Sequence, residues 1–265
     1  MSTTVLEAAN GKSRLEMPVG RLLSSYLTEA EYECVRMLRS PSFGAVFLSL
    51  PVLLYLLFGV IIAGDAVRRD AIVARAIFTG FAVFGIMGPA MFGFGVTIAI
   101  EREQGLLKLK RALPMPPAAS LLAKMLMAML FALIVMASMI AAGMSLGNVR
   151  LSAGQALGLL AVNVFGVLPF CAIGLYIGTL VKGAAAPGFT HLIYLPMMYL
   201  SGLFFPLPKF LASAEPIWPA YHLNRLALSA IGVPVGGHAM VHFLILAGVT
   251  LVFTALSVRR LASAS

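Results

Sequence analysis

Three groups of residues in this 265-residue sequence have the types and spacing for chemistry. Ser145 stands at the centre of GMSLG, residues 143–147, which matches the GxSxG pattern of hydrolase nucleophiles. Such an elbow needs a strand before the serine and a helix after it. A long apolar run precedes it here, so acyl transfer by an intramembrane serine protease is a rival reading and not the leading one. His238 and His242 lie one helical turn apart near the same face of the membrane. Two imidazoles without a third carboxylate or thiolate nearby make a poor metal site, and no metal is expected. The third group is a polar island, EREQGLLKLKRALPMPP at residues 101–117, between two of the most apolar stretches of the chain. Acids at its start, bases at its end and prolines beyond suit the macrodipole of a short helix. Leu106, Leu109 and Leu113 fall at spacings of three and four, giving that helix an apolar stripe able to dock in a partner's groove. The plain alternative is a solvated basic loop.

The elements that must position these residues follow from composition. Hydrophobic residues make up 60% of the chain and charged residues 11%, with a mean hydropathy of +0.97. Soluble domains hold about 45–50% apolar residues, so this chain belongs in a bilayer. A helix needs about 20 apolar residues to cross the hydrocarbon core. Six runs qualify, at about 43–63, 76–100, 120–143, 155–180, 187–205 and 239–258. Backbone in lipid must satisfy its own hydrogen bonds, and no alternating strands are present, so the expected class is an all-α polytopic membrane protein. Lys124 is the one strong base within these runs, and its methylene stem would let the ammonium snorkel to the interface.

Lys and Arg set the orientation. With the N-terminus in the cytoplasm, thirteen of the nineteen bases fall on inner segments, which places both termini and residues 101–117 inside. The net charge of +9 is spread over loops and partners the inner leaflet, so no nucleic-acid partner is expected. Cys34 and Cys171 would lie at different depths and form no disulfide. The first forty residues lack the apolar core of a cleaved signal peptide, so the first span would serve as the anchor.

Residues 1–20 read as a flexible cytoplasmic tail and 21–40 as an amphipathic helix on the inner membrane surface. Residues 206–237 are apolar but broken by five prolines, Pro206, Pro208, Pro216, Pro219 and Pro234. They read as short interfacial or re-entrant outer helices, with Trp218 and Tyr221 at headgroup depth, capping a pathway. Gly154, Gly158, Gly174 and Gly178 give two GxxxG spacings at the fourth span, suited to close helix packing within the subunit or across a dimer. Phe84, Met87, Met91, Phe92, Phe94, Met197, Met198, Tyr199 and Phe204, in the second and fifth spans, could line a route for a lipophilic solute or simply fill core and lipid-facing positions. All ten acids lie outside the spans, which disfavours a gradient-driven carrier; that and a passive channel are the other rival readings. With no GxxxxGK[ST] loop, the chain has no P-loop ATP site of its own.

The order of these parts resembles the permease subunits of type-2 ATP-binding-cassette exporters. The most specific piece is an inner loop of the form E-R-E-x-G-x-L-K-x-x-R-x-x-P-x-P-P. Here it is Glu101, Arg102, Glu103, Gly105, Leu107, Lys108, Arg111, Pro114, Pro116 and Pro117. Gln104 and Leu106 stand where that family often has a charged residue and Thr. The resemblance covers residues 21–260. It implies that 101–117 is a coupling loop seated on a separate nucleotide-binding ATPase subunit, which holds the ATP and Mg, while this chain binds no cofactor and is not itself an enzyme. The loop residues Glu101, Arg102, Glu103, Gly105, Leu106, Lys108, Leu109 and Arg111 would make that contact, with Glu101 and Glu103 bridging to bases of the N-terminal helix or of the ATPase. A second permease, identical or not, would pair with this one around a path built by the second and fifth spans. No carbohydrate-binding domain is added, which favours export of a drug-like or lipid solute across a bacterial cytoplasmic membrane.

Overall fold

The computed structural model describes residues 19–39, 44–106, 109, 117–204 and 207–263. They form helices joined by short connections, with no strand among the described residues. The chain is an all-α polytopic membrane protein.

Helix α1 (Val19–Leu38) precedes α2 (Val46–Ile62). A short α3 (Gly64–Arg69) leads into the long α4 (Ala71–Glu103). Then come α5 (Pro117–Ser145), α6 (Ala153–Gly166) and α7 (Leu168–Leu180). Helix α8 (Ala186–Leu200) is followed by α9 (Lys209–Ala212), a 3-10 turn (Glu215–Ile217), α10 (Pro219–Ala230) and α11 (Ala239–Ser263). Four stretches are long and apolar enough to cross a membrane: Ala71–Glu103, Ser120–Ser145, Ala153–Leu180 and Ala239–Leu261. Val46–Ile62 and Ala186–Leu200 are shorter, at 17 and 15 residues.

Local chemistry explains where the elements start and bend. Asp70 caps α4, accepting hydrogen bonds from the Ile72 and Val73 amides at 2.7 and 3.4 Å. Ser152 and Gln155 form a reciprocal capping box on α6. Helices α2 and α4 each contain an internal proline, Pro51 and Pro89, and each widens into a π-helical segment just beyond it, Tyr55–Ile62 and Met91–Val96. Proline withholds a hydrogen-bond donor and crowds the preceding turn, so these are the places where the α-helical ladder loosens. Prolines also break the 207–237 segment into short pieces. The longest of these, α10, lays Ala220, Leu223, Ala227 and Leu228 on the core.

The core centres on α4, whose most apolar window is 78% buried, whereas the corresponding window of α11 is 11% buried. Helix α11 packs on α7 and α10 and leaves its other side for lipid. The seam between α4 and α7 is backbone against backbone. A β-carbon on Gly178 would lie 2.4 Å from the Gly95 carbonyl oxygen, and one on Gly95 equally close to that of Gly174. Of the two GxxxG spacings, Gly174/Gly178 therefore works inside the subunit. Around Gly154 nothing lies within 4 Å, and Gly158 meets only Ala230 at 3.8 Å. Helix α1 packs along α5, where Met37 meets Met127 and Phe131.

Two expectations are corrected. Lys124 does not snorkel outward: it is 0% exposed and points into the protein. Glu101 to Glu103 do not begin a separate short helix but end α4, because no breaker intervenes before Gly105, which takes φ +72° and closes the helix with its amide on the Arg102 carbonyl.

The seam predicts that Gly178→Leu forces α4 and α7 apart and lowers the unfolding midpoint in detergent by several degrees, an overpacking cost of about 1–3 kcal/mol. Gly154→Ala, in open space, leaves the midpoint unchanged. Equal midpoints for both variants in a thermal melt would show that the seam does not carry that cost.

Candidate functional site

The polar island meets the folded core at a cluster of four charges drawn from three helices. Lys124 lies one turn into the apolar part of α5, Glu101 ends α4, and Glu33 and Arg36 share one face of α1. The Lys124 ammonium donates to Glu33 Oε1 at 2.5 Å and to Glu101 Oε1 at 2.9 Å. Arg36 pairs with Glu33 Oε2 at 2.7 Å and reaches Glu101 Oε1 at 3.4 Å. Glu33 and Glu101 are 4% and 2% exposed, while the Arg36 side chain is half-exposed.

Among the described residues, two carboxylates meet one ammonium and one guanidinium. Taking them from water costs several kcal/mol per ion, offset only by close pairing and further hydrogen bonds. Glu101 also sits where the dipole of α4 is negative, an unfavourable place for a carboxylate. Lys124 and Arg36 compensate both, and no snorkelled position could offer the ammonium two carboxylates within 3 Å. The cluster thereby fastens α1, the C-terminal end of α4 and the start of α5 to one another. Its neighbour Cys34 has its thiol pKa raised, first by burial and then by the Glu33 charge, and it is a free cysteine.

Arg102 extends the junction to a fourth helix. Its guanidinium donates to the carbonyls of Thr179 and Val181, the latter at 2.8 Å. These are carbonyls at the C-terminal end of α7, where the last turn lacks intrahelical donors and a cation is favoured.

Below the junction the residues turn outward. Glu103 and Gln104 are exposed, and Glu103 lies against Gly183 at the α7–α8 turn. Leu106 and Leu109 are 37% and 62% exposed. Lys108, Arg111 and Leu113 lie outside the described residues. The predicted loop residues thus divide in two: Glu101 and Arg102 face inward and join helices, whereas Glu103, Leu106 and Leu109 face out. Glu33, Arg36 and Lys124 complete the site and are absent from the loop pattern. A lone lysine inside an apolar run, with acids on an amphipathic helix, was the signal that could have found them.

A second feature is a cavity of about 560 Å³ between α2, α4 and α8. Phe47, Phe58, Phe81, Phe84, Phe92 and Phe204 line it with Tyr194, Tyr199, His191 and aliphatic residues. No Asp, Glu, Lys or Arg among the described residues lines it. Of the residues expected along a solute path, Phe84, Phe92, Met198, Tyr199 and Phe204 line the cavity, while Met87, Met91, Phe94 and Met197 are buried in the core. Ser145 donates to the Ala141 carbonyl at 2.6 Å within its own helix. His242 pairs with His222 across 2.8 Å, so neither is arranged as nucleophile and base. No group of three or more metal-ligating side chains occurs among the described residues.

Residues 25–231 match the family model described as ABC-2 type transporter. The chain is also 26% identical over 195 residues to the Bacillus subtilis (strain 168) protein named "Putative transport permease YvfS", an alignment covering 72% of this chain and 79% of that one. The matched span holds the ion cluster, the aromatic cavity and the outward-turned end of α4 together, and on it the chain belongs to the ABC-2 type transporter family, as a membrane permease subunit that works with an ATP-binding subunit.

Proposed function

We propose that this permease exports a lipophilic or amphipathic solute, drug-like or lipid, across the bacterial cytoplasmic membrane. Both termini lie in the cytoplasm, and a separate nucleotide-binding subunit hydrolyses ATP. The observation that carries this reading is the join between a buried four-charge junction and an exposed leucine pair only a few residues further along the chain. A groove on the ATPase takes Leu106 and Leu109, and Glu103 lies at the contact's edge. Displacement of this segment is passed by Glu101 to α1 and α5 and by Arg102 to α7, so that four inner helix ends move together. Such a device biases two arrangements of the spans and performs no covalent chemistry. The six-span topology and a second permease facing the α2–α4–α8 cavity belong to the same reading. That cavity lies in the range of about 300–1,000 Å³ usual for sites that hold one drug-sized molecule.

The contact is tested by copurification from native membranes. Leu106→Asp with Leu109→Asp is expected to lower retention of the P-loop ATPase on the order of tenfold, the effect of removing ~1.4 kcal/mol of apolar docking. Undiminished retention would sink the coupling role. Glu103→Lys, at an exposed site, should lower ATP-driven export while leaving the permease inserted; Glu101 is a poorer probe because reversing a buried charge also attacks folding.

The junction is tested by pairing variants. Lys124→Met takes the buried ammonium from Glu33 and Glu101, leaving Arg36 against them, and should destabilise the subunit by about 3 kcal/mol. Adding Glu33→Gln and Glu101→Gln should recover most of that stability in a thermal melt. If the junction transmits force, the recovered triple variant retains its ATPase yet exports poorly in inverted vesicles. Wild-type export by the triple variant would reduce the cluster to a structural pairing.

The cavity is tested with amphipathic dyes of graded size. Phe84→Ala should admit larger dyes and Met198→Trp should reject them, with ATPase retention unchanged. An identical dye spectrum for wild type and both variants would place the solute elsewhere.

A further inference from the structure

The motif His238/His242 was singled out by sequence spacing, but the fold re-pairs it. His242, in the first turn of α11, meets His222 of α10, with Nδ1 to Nδ1 at 2.8 Å and the two residues 6% and 3% exposed. His222 Nε2 lies 2.8 Å from the Pro216 carbonyl oxygen. A carbonyl only accepts, so Nε2 of His222 carries a proton. In the neutral pair His222 Nδ1 is then an acceptor, and His242 Nδ1 donates to it. This fixes both tautomers and leaves His242 Nε2 as a bare lone pair. That nitrogen is buried and has no hydrogen-bond partner. It faces the connection before α11, 3.4 Å from where a β-carbon on Gly237 would sit.

We propose that the His222–His242 pair is a proton-binding site that controls how α10 seats on α11. The proposal rests on the topology given above only in placing the site on the outer side of the membrane. A first proton adds to His242 Nε2 and keeps the Nδ1–H···Nδ1 bond, because the charged ring still donates. A second proton has only His222 Nδ1 to occupy. It would set two N–H groups head to head at 2.8 Å on two charged rings, and the pair must separate. Helix α10 then lifts from α11.

Among the described residues, the surroundings supply no carboxylate to relieve the charge. On α10, Tyr221 lies edge-on to both imidazoles, and Arg225 stands 4.9 Å over the Tyr221 ring. Glu215, in the preceding 3-10 turn, is directed at Gly202. Arg75 of α4 and Gln155 of α6 bind the Ile231 carbonyl beyond α10, and His238 stands at the start of α11. Burial pushes His222 below its ordinary value of 6.5; the Pro216 carbonyl partly restores it and the His242 charge lowers it again. A base whose folded value is depressed stabilises the packed state above its ordinary value. That contribution is lost as pH falls through the range below 6.5.

The chain contains one tryptophan, Trp218, the half-buried residue immediately before α10. Its emission in the full-length protein, held in lipid nanodiscs, therefore reports α10 without any need for solute or ATPase. Titration from pH 8 to 5 should shift the emission to the red and increase quenching by acrylamide, with a midpoint below 6.5. His222→Asn and, separately, His242→Gln should abolish the transition, while His238→Asn and His191→Asn keep it. No transition in wild type, its survival in both pair variants, or its loss with His238→Asn would each overturn the proposal. None of these results bears on ATPase docking or export, so the exporter reading stands or falls by its own tests.

Discussion

An ammonium group with no exposed surface, in a chain that is three-fifths hydrophobic, is the constraint on which the junction of α1, α4 and α5 depends. Lys124 is tolerable there only because Glu33 and Glu101 reach it from two other helices. Those carboxylates are in turn held by Lys124 and Arg36. None of the three helices can place its charged residue without the others. Partners contributed by sequence-distant segments tie helix α1, otherwise a separate amphipathic element, to the membrane domain. Removing a partner is far costlier than replacing the set, which is the usual asymmetry of buried ion pairs.

The opposite end of α4 uses a related device with a single cation. Arg75, one turn into α4, donates to the Ile231 carbonyl at the end of α10 and to the Arg150 carbonyl before α6, both at 3.0 Å. Arg102, near the other end of the same helix, does so for the end of α7. Both guanidiniums satisfy carbonyls that a helix end or loop leaves without donors. Helix α4 thus carries an arginine clamp near each end, and it is also the most buried of the long helices.

The apolar runs and the class they imply were legible because the demand for about 20 lipid-compatible residues is local and one-dimensional. Gly174 and Gly178 were legible as packing residues for the same reason, a spacing within one helix. Their partner was not, since Gly95 belongs to another helix. The place of Lys124 in the charge cluster escaped because its partners lie 91 and 23 residues away, and an isolated lysine near a span end looks the same whether it turns to lipid headgroups or to a carboxylate. The helical assignment of Glu101 failed on a finer point. Charge order alone cannot tell the start of a new helix from the end of an old one, and the left-handed backbone at Gly105 decided it. The histidines show the same limit: one-turn spacing suggested His238 as the partner of His242, whereas proline breaks in 207–237 fold His222 onto it.

The two faces of α4 differ in the kind of contact they make, and this bears on which parts can shift. Toward α7 the contact is peptide against peptide, with carbonyl oxygens where β-carbons would otherwise be. Such a seam has no side chains that could change rotamer to absorb sliding, so α4 and α7 behave as one body. Toward α2 and α8 the contact is made by rings, among them Phe81 with Phe204 at 4.6 Å and Phe92 with His191 at 4.5 Å between centroids, bordering the 560 Å³ cavity. Aromatic edges and faces accept several tilts at similar energy. The rigid seam lies behind the cavity and the adaptable contacts border it. On the proposed coupling, a displacement at Glu101 and Arg102 would reach the cavity through the α4–α7 body, and the ring contacts are where it would be taken up.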